Sequence, residues 1–111
     1  MKGLVSYIDF EKLDIRVGMI LSAVPFDKAI KPAYQLSIDF GQGGIKKSSA
    51  QITQCYSPDQ LVGKQIMAIV NFAPKQIANF MSECLVLGVV TESGVVLLQP
   101  DTPVTNGSNI A

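Results

Sequence analysis

Tyr34-Gln35-Leu36-Ser37-Ile38-Asp39-Phe40 alternates apolar and polar side chains at every step. A period of two puts Tyr34, Leu36, Ile38 and Phe40 on one face, the pattern of a strand with one side buried. Upstream, the loop Asp27 to Pro32 carries Lys28, Lys31 and Pro32, and before it Asp14 to Phe26 reads as a long first strand. Its alternation predicts Ile15, Val17, Met19, Leu21 and Ala23 on one face, with Arg16, Gly18 and Ser22 opposite, and Gly18 predicts a bulge or sharp coil there. Asp9 to Leu13 is one helical turn, capped by Asp9 or, one turn earlier, by Ser6.

Downstream, Gly41-Gln42-Gly43-Gly44 supplies a turn, and Ile45 to Ile52 follows as a third strand with a weak pattern. Ser57-Pro58-Asp59-Gln60 has the sequence of a helix start, with Ser as N-cap, Pro at the first position and Gln at the third, and Gly63 ends it. Gln65 to Phe72 and Cys84 to Thr91 are near-continuous apolar runs, expected to be central strands four and five. Glu92-Ser93-Gly94 turns the chain into Val95 to Leu98, and Pro100, Pro103 and Asn106-Gly107 break up the tail. Three strands, a helix, two strands and an arm predict an all-β fold with one short helix. The architecture that matches is an OB-fold, a five-stranded Greek-key barrel with an extra C-terminal hairpin arm, and an SH3-like barrel is the structural rival.

The 111 residues, 48% of them hydrophobic, are expected to form one domain over 1–111 with a buried core. Nine basic and nine acidic side chains cancel, so any attraction for an anion must come from a local cluster. There is no histidine, which removes Ser-His-Asp and Cys-His catalysis and every histidine-containing metal site. Cys55 and Cys84 are far apart and form no Cys-x-x-Cys pair, arguing against zinc or a disulfide framework and for free thiols in a reducing cytoplasm. Asp9, Glu11 and Lys12 interrupt the apolar N-terminus before it reaches the length of a signal peptide, and no apolar run suffices for a membrane helix. The expectation is a soluble cytoplasmic protein without membrane insertion, metal, cofactor or catalytic residues.

Lys46-Lys47-Ser48-Ser49-Ala50-Gln51 joins two cations, two hydroxyls and an amide after a glycine turn, a set able to meet phosphate and a base edge. A strand edge protected from aggregation by lysines would read identically. Asn71-Phe72 ends an apolar strand, where a buried Asn needs partners, and Ala73 to Glu83 is a connection long enough to be functional. In it Phe80 and Met81 offer either a stacking or peptide-binding surface beside Lys75, or plugs for the barrel mouth, the plug reading suiting Met81 better than Phe80. Asp9, Glu11 and Asp14 are too scattered for a carboxylate pair. Leu4, Val5, Tyr7, Ile8 and Val95 to Leu98 exceed what one barrel must bury, which predicts a twofold homodimer.

Asp9-Phe10-Glu11-Lys12-Leu13-Asp14-Ile15-Arg16-Val17-Gly18 resembles the opening of the tRNA-binding domain of synthetase-associated proteins. Ile38-Asp39-Phe40-Gly41, Lys47-Ser48-Ser49-Ala50-Gln51-Ile52, Leu61-Val62-Gly63-Lys64-Gln65, Val70-Asn71-Phe72-Ala73-Pro74, Glu83-Cys84-Leu85-Val86-Leu87-Gly88 and Leu97-Leu98-Gln99-Pro100-Asp101 are similar to the CsaA subfamily, described as export-related chaperones. The resemblance covers nearly the whole chain. It implies an OB-fold and a homodimer joined through 1–8 and 99–111. Its implied ligands are tRNA or other structured RNA and unfolded or export-bound polypeptide, bound without catalysis. A dedicated tRNA-binding module acting in trans on tRNA or synthetases is the alternative. The implied RNA-facing residues are Lys46, Lys47, Ser48, Ser49, Gln51, Asn71, Lys75 and Ser82, with Phe80 also facing ligand; Phe72, Phe80 and Met81 are the peptide-binding candidates. Where the broader pattern has Ser-x-Gly-Met, this chain has Ser82-Glu83-Cys84-Leu85, which sets an acid beside the phosphate track.

Overall fold

The computed structural model describes residues 1–111. The alternating stretch forms strand β2 (Tyr34–Asp39), between β1 (Ile15–Pro25) and β3 (Ile45–Ala50), both antiparallel to it. β4 (Gln65–Ile69) pairs with the other edge of β1, and the two-residue β7 (Leu85–Val86) pairs with β4, giving the order β3-β2-β1-β4-β7. The two outer strands meet. Glu83 N donates to Lys47 O at 2.7 Å, and the Glu83 carboxylate accepts from Lys47 N at 2.9 Å. These bonds bring the five strands close to closure as an OB-fold barrel and occupy the backbone N–H and carbonyl of Lys47, so the outer edge of β3 is partly covered.

Register decides which side chains fill the barrel. Tyr34, Leu36 and Ile38 lie opposite Ala50, Ser48 and Lys46, and join Ile20, Phe40, Leu61, Ile66 and Ala68 in the core. Before the bulge the face opposite to the expected one fills the barrel, with Gly18 against Ile38 and Phe40 and Ile20 fully buried, while Val17 is buried outside the main core. The register shifts between Ile20 and Ser22, which turns Leu21 outward and returns the expected face to the core at Ala23. The bulge therefore sits three residues beyond Gly18. What Gly18 provides is clearance: a Cβ there would lie 2.6 Å from both Ile38 Cγ2 and a Phe40 ring carbon. Two short α-helices form, at the expected turn near Asp9 and after Ser57. In α1 (Tyr7–Glu11) Ser6 is the N-cap and Asp9 completes a capping box, so both cap candidates act at once. In α2 (Pro58–Leu61) Ser57 N donates to Gln60 Oε1 at 2.8 Å, as the Ser-Pro-x-Gln pattern requires.

The apolar run from Cys84 is not one covered strand. It breaks at Leu87 into β7 and β8 (Gly88–Thr91), which pairs only with β9 (Gly94–Leu97) in a separate hairpin whose Val90 is 85% exposed. β-branched residues suit a strand whether or not it is covered, so the run alone does not report burial. The connection Ala73 to Glu83, read as a loop, contains another hairpin, β5 (Lys75–Ile77) and β6 (Phe80–Ser82), with Ala78 at φ 49° in its two-residue turn. The tail lies on its own barrel: Val17 N donates to Ser108 O, Gly107 N to Val17 O and Ile110 N to Ile15 O. No helix is long and apolar enough to cross a membrane.

Candidate nucleic-acid interface

A second, smaller core decides the shape of the site. Phe26 at the end of β1, Ala33 just before β2, and Phe80 at the start of β6 pack together, with the two rings edge to face at 5.4 Å. Phe26 N donates to Ala33 O at 3.0 Å, pinning the loop 27–32 at its base. This cluster therefore anchors both that loop and the β5–β6 hairpin, the two walls of a cleft of about 590 Å³. Lys28 and Lys31 come from the loop, Lys75 and Gln76 from the hairpin, Ser49 from the end of β3 and Gln51 from just beyond it. None of the nine carboxylates lines it. The ion pairs of the chain are Lys12–Asp9 and Arg16–Asp14, so all three cleft lysines are free to meet an anion.

The sequence-derived RNA set divides across the barrel. Ser49, Gln51 and Lys75 meet in the cleft. Lys47 stands on the same outer face of β3 as Ser49, with Nζ 5.5 Å from the Phe80 ring centroid. Ser82 is close by, its hydroxyl accepting from Ser49 N at 3.1 Å. Lys46 points the other way, because neighbours on a strand face opposite sides; it lines a hollow with Asp14, Arg16 and Gly107. Ser48 is 1% exposed and donates to Cys84 O at 2.8 Å, so its hydroxyl is committed to the core. Asn71 is exposed beyond the end of β4 rather than buried, yet its carboxamide is engaged: Nδ2 donates to Lys12 O, and Oδ1 accepts from Asp14 N. Asn71→Ala is expected to cost roughly 1–2 kcal/mol of stability, read by urea unfolding, with tRNA affinity unchanged when measured on the folded protein.

Of the peptide candidates, Phe72 is half exposed and lines a separate 180 Å³ hollow with Ala73, Lys75 and Leu85, while Met81 is open to solvent. Phe80 is 9% exposed and is the plug that the sequence pattern assigned more readily to Met81. The pairing Gln76↔Met81 and Ile77↔Phe80 sets this: alternation turns Phe80 onto Phe26 and Met81 outward. Lys28, Lys31 and Gln76 were read as ordinary loop residues. The signal that could have found them is two lysines bracketing Ile30 in a chain with no net charge.

Glu83 makes no ion pair with the Lys47 ammonium; its Oε1 accepts from the Lys47 backbone, and its charge stays beside β3. Behind it, burial pushes the Cys84 thiol from 9.0 up to about 11, against smaller opposing effects of Ser48 and Lys46. The folded state thus holds this proton more tightly than the unfolded chain does. Stability from this thiol is complete below about pH 9 and falls as pH rises to about 11. The expected loss, on the order of 2 kcal/mol, is the part of the alkaline decline that disappears in Cys84→Ala when both proteins are unfolded in urea at pH 8 and 10.5.

A nearly closed five-stranded barrel, with a lysine-lined cleft between the β1–β2 loop and a hairpin, defines the class: an OB-fold domain. Residues 15–109 match the family described as a putative tRNA binding domain, and the chain belongs to that family. It is similar to the CsaA chaperone protein of Picrophilus torridus, with 56% identity over 97% of this chain and 100% of that one at a TM-score of 0.93. The chaperone CsaA of Bacillus anthracis is 49% identical over 98% of this chain and 100% of that one, also at 0.93. A methionine–tRNA ligase from Methanococcoides burtonii is 36% identical over 110 residues, which are 98% of this chain and 16% of the ligase.

Proposed function

We propose that the chain binds tRNA, or RNA of similar structure, through the cleft between the β1–β2 loop and the β5–β6 hairpin, without catalysing a reaction. The observation that carries this is three unpaired lysines converging on a cleft free of carboxylates, in a member of the tRNA-binding domain family. Lysine ammonium groups displace counterions from phosphates, so affinity falls steeply with salt. The work is positional: backbone electrostatics and surface complementarity hold a folded RNA, and no bond is made or broken. Fluorescence anisotropy with labelled tRNA between 50 and 200 mM salt tests it. A steep linear dependence of log affinity on log salt is expected; absence of binding at 50 mM, or a flat dependence, would overturn it.

A second ligand, unfolded or export-bound polypeptide, is favoured by the hollow where Phe72, Ala73 and Leu85 meet Lys75, Ser82 and Glu83, and by the similarity to proteins named as chaperones. Phe72→Asp should then abolish suppression of a client's aggregation, and unaltered suppression would remove this ligand from the account. We assign both activities to a cytoplasmic homodimer. Leu4, Val5, Tyr7 and Ile8 stand exposed beyond the barrel, with Leu4 at 105%, and a second copy would cover them. Light scattering at micromolar concentration should give twice the chain mass, and the mass of a single chain would refute the dimer.

A further inference from the structure

We infer that Asn71 is the positioning residue of the subunit contact: its carboxamide aims helix α1, and with it Leu4, Val5, Tyr7 and Ile8, at a second copy of the chain. This rests on the homodimer reading above and specifies what prepares the contact. Residues 1–13 add no side chain to either core, and α1 buries none of its own residues. The backbone bonds of the segment, Asp9 N to Ser6 O and Leu13 N to Phe10 O, stay inside it. A single hydrogen bond joins it to the barrel: Asn71 Nδ2 donates to Lys12 O at 2.8 Å. A helix of five residues is far too short to hold itself in water, so that bond, with the chain entering β1, sets where the arm points.

The chemistry of the latch calls for a short carboxamide. The β1–β4 ladder ends at Ile15 and Ile69, and beyond it Val70 N donates to Asp14 O at 2.8 Å. Asn71 Oδ1 then accepts from Asp14 N at 2.9 Å, standing in for the next ladder carbonyl. The other end of the same planar group reaches back to the carbonyl of Lys12, the C-cap of α1, which has no partner within the helix. An aspartate would keep the acceptor and lose the donor. What the latch holds out is apolar: Leu4, Val5, Tyr7 and Ile8 are all exposed. Apolar side chains on an arm already aimed are ready for burial, because the ordering cost of the contact falls before the partner arrives. Every copy carries the same arm, so a twofold contact buries it twice and uses the latch twice.

Sedimentation velocity over a dilution series tests this, with Asn71→Asp, Ile8→Ser and the double variant made in the full chain. Asn71→Asp should raise the dimer dissociation constant by about tenfold or more. The heteronuclear NOE of residues 7–12 should fall in it, while that of β2 and β3 stays at the parent level. Ile8→Ser should also weaken the dimer, and the double variant should fall well short of the product of the two effects, because both act through one arm. Effects that multiply in full would mean that Asn71 does not act through the arm, and the positioning role would be overturned. An unchanged dissociation constant in Asn71→Asp also overturns it, and the dimer reading survives. Asn71→Asp keeps the Asp14 bond, so its barrel should melt within a few degrees of the parent; global loss of the fold would show Asn71 holding the barrel rather than the arm. A parent chain that sediments as a monomer removes both the dimer and the latch.

Discussion

Phe80→Ala is expected to lower stability by about 3–5 kcal/mol, a large share of what a domain of this size has. The ring is buried against Phe26 and Ala33, with Ile77 and Ala29 packed at the edge of the cluster. The consequence goes beyond stability. Because the same three residues anchor the loop 27–32 and the hairpin, removing the ring frees both cleft walls, so tRNA affinity should fall even in the molecules that stay folded. Phe80 is thus a positioning residue. Urea unfolding measures the first effect, and tRNA titration under conditions where the variant is folded measures the second. Phe80→Leu, which refills most of the space, should restore most of both. Full stability in Phe80→Ala would mean that the ring is not packed as described.

Replacing Lys28, Lys31 and Lys75 together by Ala is expected to reduce tRNA affinity on the order of a hundredfold at low salt and to lower the salt slope by about two to three. These side chains are exposed and make no ion pairs, so unfolding curves should stay within about 0.5 kcal/mol of the parent. The pairing of lost slope with retained stability distinguishes phosphate contacts from a general loss of structure. Lys46→Ala serves as the control. Its side chain lines the hollow beside Asp14 and Arg16, so its loss should matter less than that of any one cleft lysine.

The barrel was legible because its signals are local. Alternation in Tyr34 to Asp39, the capping pattern at Ser57 and the glycine turns each specify geometry within a few residues. The bulge after Ile20 was not legible, since nothing in Met19-Ile20-Leu21-Ser22 distinguishes a shifted register from plain alternation until β2 lies alongside. The long connection conceals a hairpin of two three-residue strands for a similar reason: its buried anchor, Phe80, is held by Phe26 and Ala33, about fifty residues earlier, with Ile77 packed alongside.

The placement of the candidate residues is half legible in the sequence. Ser49, Gln51 and Lys75 come together at one cleft with Lys47 on the same face of β3, whereas the run Lys46 to Ser49 is not one patch, because a strand sends alternate residues to opposite faces. Ser48 and Asn71 were assigned to RNA because a polar residue in an apolar context attracts a functional reading. Both are satisfied within the chain, Ser48 by Cys84 and Asn71 by Lys12 and Asp14. Lys28 and Lys31 gained meaning only when the loop that carries them was folded against the hairpin.

The most direct measurement is a titration of the isotopically labelled protein with tRNA, following every backbone amide by NMR at low salt. The account predicts that the largest shifts fall on three separate stretches, the loop 27–32, the segment Lys47 to Gln51 and the hairpin Lys75 to Ala78, with the barrel end around Arg16 and Gly107 unmoved. Shifts centred on Arg16, Lys46 and Gly107, with the loop and hairpin silent, would contradict it.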